Sequence, residues 1–266
     1  MIKPILLFPE VGRRWSLWMM ALFMMTGTCL WNPSTAGAQE NRRSPVTAIL
    51  KGQFQQMETG QLQISVTPCY KKYKGETAES YYTGLLLRAY PVENWEFVVG
   101  SDFLSYQRPD FGVSDIYAGV QWTFYDRHSL TLAVSGYLSF PAGSPAFRNP
   151  GIQPTLALTI SQAAGAFEFT GSAGTTYAAD AQGEPCYFDF EASLEIDYTL
   201  DQKNAFGVYS YGYIPDQREE GAGRLTAGAS YTRTFNERHS ASVILEKGLS
   251  GRGLDWSLMV SYDFMF

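Results

Sequence analysis

Four carboxylates punctuate one short segment, Asp189, Glu191, Glu195 and Asp197, with Ser193 completing the alternate positions. The positions between and around them hold Phe188, Phe190, Ala192, Leu194, Ile196 and Tyr198. Successive side chains on a strand point to opposite faces, so this segment has one acidic face and one apolar face. Burying even one charge in hydrocarbon costs several kcal/mol, so the acidic face must look onto water or counter-charges. Two roles suit such a row. It can line a wet passage that favours cations or neutral polar solutes over anions, or it can knit a plug with arginines and tyrosines across a filled interior. Asp115, Glu168, Asp263 and Asp102 share the same inward parity in their own segments, and Arg88, Arg224 and Lys51 are the candidate counter-charges.

Other chemistry has little footing. The chain has two histidines, His128 and His239, and both fall in predicted turns. Neither spacing suggests a catalytic triad, and no metal-ligand cluster, phosphate-cradling glycine loop or CxxC pair occurs. The expectation is a protein that is not an enzyme and needs no cofactor or metal.

The elements that must carry these residues are strands. The final stretch, Asp255–Phe266, sets Trp256, Leu258, Val260, Tyr262, Phe264 and Phe266 on one face and mainly polar residues on the other. A strand facing lipid outward and a wet lumen inward has this pattern. From Met57 onward the same period of two recurs in about twelve segments broken by turn residues. The fourth is expected near Val113–Tyr125 and the acidic one near Tyr187–Leu200. Short connections, such as Asp126-Arg127-His128 and Asn236–His239, take turns with longer ones, such as Lys71–Ser80, Pro141–Gly151, Ala179–Cys186 and Pro215–Gly223. Alternation of tight turns and large loops predicts a transmembrane antiparallel up-and-down β-barrel of the outer-membrane type, rather than the rival secreted sandwich. Twelve strands close into a ring roughly 24 Å across, which leaves a narrow lumen. Tyr81, Tyr106, Trp122, Trp256 and Tyr262 are expected in the interfacial girdles, and Tyr82, Tyr117 and Tyr137 inside.

Composition agrees. Charged residues are 17% and aromatics 15% of the 266 residues, low and high respectively for a soluble chain. Residues 1–38 read as a secretory signal, with Lys3, Arg13 and Arg14 in front, an apolar run from Trp15 to Trp31, and Ala36-Gly37-Ala38 before Gln39. A membrane anchor helix is the alternative. Removing that segment leaves a net charge of −8, which disfavours nucleic acid as a partner. Residues 39–56 read as a periplasmic leader and 57–266 as the barrel. Cys69 and Cys186 would remain, and their pairing is left open.

Three motifs carry a family resemblance: Gly112-Val113-Ser114-Asp115-Ile116-Tyr117-Ala118-Gly119-Val120-Gln121-Trp122, then Leu138-Ser139-Phe140-Pro141-Ala142-Gly143, and the closing Tyr262-Asp263-Phe264-Met265-Phe266. They resemble the outer-membrane proteins grouped as the phenol meta-pathway degradation, or transporter, family, with Ala142 where that family's corner has Thr. The resemblance implies an outer-membrane barrel that passes or helps to take up small, sometimes aromatic, compounds, and it supplies no catalytic residues. The expected partners are therefore the lipid bilayer, a small-molecule solute, and the barrel-assembly machinery acting on the last strand and Phe266. The candidate lumen-lining residues are Asp115, Glu168, Asp189, Glu191, Glu195, Asp197, Arg88 and Asp263. The competing readings are a structural or surface-binding barrel with a filled lumen and, further off, an outer-membrane enzyme.

Overall fold

The computed structural model describes residues 58–74, 79–178, 187–214, 224–250 and 254–266. The expected signal and leader, together with Lys51 and Cys186, lie outside the described residues. The described strands are β1 (Leu62–Tyr73), β2 (Glu79–Val92), β3 (Trp95–Gln107), β4 (Asp110–Val113), β5 (Ile116–Arg127), β6 (Leu130–Phe140) and β7 (Gln153–Ala164). They continue as β8 (Phe167–Ala178), β9 (Tyr187–Asp201), β10 (Asn204–Ile214), β11 (Arg224–Asn236), β12 (His239–Gly248) and β13 (Leu254–Met265).

Neighbours in sequence pair antiparallel, and the sheet closes on itself. β1 pairs with β13 as well as with β2, in the register Gln63↔Met265 to Tyr70↔Leu258. The last residue completes the seam, because Phe266 N–H donates to Leu62 O (2.8 Å) and Leu62 N–H to Phe266 O (3.2 Å). Twelve long strands make the barrel wall. β4 and β5 both pair with β3, along Leu104–Gln107 and Trp95–Ser101 respectively, so together they form one barrel position. The fourth expected strand is thus interrupted at Ser114-Asp115, for a reason given below.

The molecule is inside out compared with a soluble domain. Ser, Thr, Gln, Asp and Glu dominate its buried residues, whereas Leu, Phe, Val, Ile, Trp and Tyr dominate the exposed ones. Along β9, Phe188 and Phe190 are about half exposed, at 50% and 53%, while Asp189 and Glu191 are at 7% and 3%. Along β13, Ser257 is fully buried while Leu258 and Val260 are exposed. A polar lumen inside an apolar belt accounts for both strands.

One end of the barrel carries five two-residue turns, at 93–94, 128–129, 165–166, 202–203 and 237–238. Two-residue hairpins favour positive φ because that backbone twist matches the strands. His128 and Ser129 adopt φ of 53° and 66°, and Asn94 and Gly165 each adopt 66°. At the opposite end the connections are longer, apart from Arg108-Pro109 between β3 and β4.

Candidate functional site

The inner wall is the candidate site, and several of its acidic residues tie neighbouring strands together. Arg88 and Glu96 form a buried bidentate pair at the turn end of β2 and β3, with Nε–Oε1 at 2.5 Å and Nη2–Oε2 at 3.0 Å. Forked charge-assisted bonds of this kind satisfy both ions, and neither carries net charge into the lumen. Asp263 holds the seam: Gln63 Nε2 on β1 donates to its Oδ1 and Ser240 Oγ on β12 to its Oδ2, each at 3.2 Å. Glu168 accepts a 2.6 Å bond from Ser161 Oγ. Glu191 is buried and accepts from Tyr211 Oη at 2.6 Å. Glu246 is nearly fully buried, and accepts from Tyr209 Oη at 2.8 Å and from Ser257 Oγ.

Asp115 does something different. It sits in the break between β4 and β5, and its carboxylate accepts Gly143 N–H (2.9 Å) and Asn149 N–H (2.7 Å) from the β6–β7 loop. Ser144 adds two bonds to the same break: its N–H donates to Val113 O (2.7 Å) and its Oγ accepts Val113 N–H (2.9 Å). A Cβ on Gly112 would collide with Ser144, and one on Gly143 would press against Val113 O. Two of the motif segments read from the sequence therefore touch one another. The strand breaks because its backbone groups at Val113 bond the loop. Asn149 Nδ2 reaches Ser139 Oγ at 3.5 Å, and Ser139 is one of the buried residues of β6, so the loop turns inward at the rim. Burial pushes the Asp115 carboxyl above the usual carboxylate range, against the opposing pull of the Asn149 and Gly143 N–H groups and the Arg148 guanidinium.

Glu195 and Asp197 remain half-buried, as do Glu168, Ser193 and Tyr209 beside them. Glu195 faces Thr170 on β8 and Tyr209 on β10 across the ladder, and Asp197 faces Glu168 and Gly207. The acidic wall is thus enclosed near the loop end, at Asp189 and Glu191, and accessible deeper in, at Glu195 and Asp197.

Three of the inward tyrosines lie against the wall. Tyr117 pairs with Gly100, Tyr137 with Gly119 and Tyr209 with Gly228 on the neighbouring strand, and in each case a Cβ on the glycine would run into the tyrosine ring. The missing side chain gives the ring its seat. Tyr117, Tyr137 and Val98 form a small apolar cluster, with Leu86 packed against it.

Of the eight candidates from sequence, all lie on the inner face or its rim, while their hydrogen-bond roles could not be read. Asp102 and Arg224 are half-buried, and the Arg224 guanidinium lies 6.0 Å from the Tyr213 ring. Glu96 and Glu246 were missed. The signal was present: Trp95-Glu96-Phe97 and Leu245-Glu246 obey the same alternation that placed Asp189 inward. Tyr81, Tyr106, Trp122 and Tyr262 are exposed on the outer face, and Trp256 packs on Tyr70 at 4.9 Å.

The barrel resembles solved outer-membrane proteins. An outer membrane channel from Pseudomonas putida F1 is 12% identical, with a TM-score of 0.64 covering 81% of this chain and 98% of that one. The NanC porin (13% identity, TM-score 0.58) matches 76% of this chain and 98% of its own. The KdgM porin (9% identity, TM-score 0.55) matches 76% and 99%. At such identities the likeness is one of fold. No curated protein matches the chain. A family model described as "Putative MetA-pathway of phenol degradation" matches residues 44–263, most of the chain, and the chain accordingly belongs to that family.

Proposed function

We propose that this barrel sits in the outer membrane and lets small solutes diffuse passively along an acidic inner wall. The observation that carries the reading is the half-buried row of Glu195, Asp197 and Glu168, in a lumen where Tyr117, Tyr137 and Tyr209 seat against glycines of the wall. Family membership and the shared fold with outer-membrane channels and porins support it. A row of carboxylates along a narrow wet passage concentrates cations locally to the extent that it is ionised. Asp115, Asp189, Glu191, Asp263 and Arg88 then serve as the tied part of the wall that holds the passage in shape. The last strand, ending on Phe266, would be the segment engaged by the barrel-assembly machinery.

A filled, structural barrel is the second reading, favoured by the Leu86–Val98–Tyr117–Tyr137 cluster and the Arg88–Glu96 pair. Planar-bilayer recording of the purified protein in KCl separates the two. Discrete conductance steps with cation preference are expected, and a silent membrane would favour the filled barrel. In a Glu195→Gln, Asp197→Asn variant the reversal potential should move towards zero. An unchanged potential would remove the acidic wall from the reading.

A further inference from the structure

Resting on the outer-membrane placement proposed above, with the loop end outward, we propose that the lipid-facing side of the barrel seam binds the phosphates of a phosphorylated glycolipid of the outer leaflet. The site is a row across three strands. Trp256 on β13 has Lys72 on β1 as one ladder partner and Lys247 on β12 as the other. The row stands on the outer face, because the next one, Lys71–Ser257–Glu246, points inward with Ser257 and Glu246 buried. Lys72 and Lys247 are exposed. Together with Asp255 and Glu79 they are the only charges at outward strand positions in the loop half, among the described residues.

The neighbouring carboxylates do not cancel the row. Lys247 is ion-paired with Asp255, and Glu79 is the ladder partner of Lys72 on β2. Lys74 Nζ donates to Gly248 O (2.8 Å) and Ser250 O (2.5 Å), and it lies within electrostatic reach of Asp255, as Lys72 does. Three ammonium groups thus stand among two carboxylates. One step towards the mid-plane, the same face carries the row Tyr70–Leu258–Leu245, and Val260 pairs with Val243 below it. The Tyr70 ring lies 4.9 Å from both Trp256 and Tyr81. Aromatic girdles mark the headgroup level of a membrane. The lysines therefore stand where lipid phosphates lie, and the apolar rows where acyl chains lie. A doubly phosphorylated sugar brings only negative charge to this patch. A zwitterionic headgroup brings an ammonium of its own and gains less.

The test is native mass spectrometry of the purified protein in detergent, titrated with diphosphoryl lipid A or with phosphatidylethanolamine. Lipid A is expected to bind at least about tenfold more tightly. Lys72→Gln with Lys247→Gln should weaken it about twentyfold, from roughly fivefold for each basic residue at a lipid surface. Lys72→Arg with Lys247→Arg should restore it. Asp255→Asn removes a competing carboxylate and should tighten binding, which a purely structural role for the row would not produce. Arg233→Gln, at the turn end, should leave binding unchanged. Heat-modifiable gel mobility reports whether each variant has folded. Equal binding of the two lipids by the folded barrel, unchanged binding in the double Gln variant, or displacement of lipid A by millimolar inorganic phosphate would overturn this inference and leave the outer-membrane placement intact. Recovery of the chain outside the outer-membrane fraction of cells would overturn both.

Discussion

Asp115 shows how one side chain can organise a rim. Its two backbone bonds are charge-assisted and largely buried, so Asp115→Ala should cost about 3 kcal/mol, and Asp115→Asn, which keeps one acceptor oxygen, about half that. Guanidinium unfolding in micelles measures both. The raised pKa of Asp115 also has a sign. The folded chain takes up this proton at higher pH than the unfolded chain does, so the ionised group weighs against the fold above its folded pKa. That cost is relieved as pH falls through the raised value towards the unfolded one. Plotting stability against pH, the wild type should gain on Asp115→Asn across that window, and parallel curves would refute the assignment. The glycine seats make a second prediction. Gly119 has Tyr137 and the Gly136 carbonyl against it, so Gly119→Val should destabilise by about 3 kcal/mol, at the upper end of overpacking. Gly136→Ala, with only Thr155 O nearby at 4.0 Å, should cost less than about 1 kcal/mol.

Among the elements, the closing strand depends on pairings far apart in sequence. β13 bonds β12, its hairpin neighbour, and β1, at the start of the barrel. Deleting Phe266 removes two backbone hydrogen bonds at the seam and one lipid-facing aromatic, yet leaves every lumen residue in place. The expected result is a several-fold lower fraction of folded barrel in the membrane, read by heat-modifiable mobility, with unaltered conductance from those barrels that assemble. Strand alternation, turn positions and the inward parity of β9 were legible from the sequence because period two and positive-φ turns are local properties. The break at Ser114-Asp115 was not legible, because the groups that satisfy Val113 and Asp115 come from Gly143, Ser144 and Asn149, about thirty residues later.

For the assembled barrel, the separation of two-residue turns from longer loops predicts its orientation. With an even number of spanning positions the first strand starts and the last strand finishes at the turn end, and the loop end should face outward. In a background without cysteine, Ala146→Cys in the β6–β7 loop should react with a membrane-impermeant maleimide on intact cells. Lys203→Cys in the β9–β10 turn should react only after lysis. Both positions are exposed, so reversed labelling would invert the barrel.

The amino-acid order alone determined the barrel, its near count of strands and the face on which Asp189, Glu191, Glu195 and Asp197 stand, because each follows from the cost of placing charge in hydrocarbon and from neighbours one or two residues away. Which partners the buried carboxylates find was settled by folding. Tyr209 finds Glu246, Tyr211 finds Glu191 and Gln63 finds Asp263 only once the ladder registers are set and the sheet has closed. Hydrogen-bond partners across a barrel are chosen by register and curvature, and no local pattern encodes either.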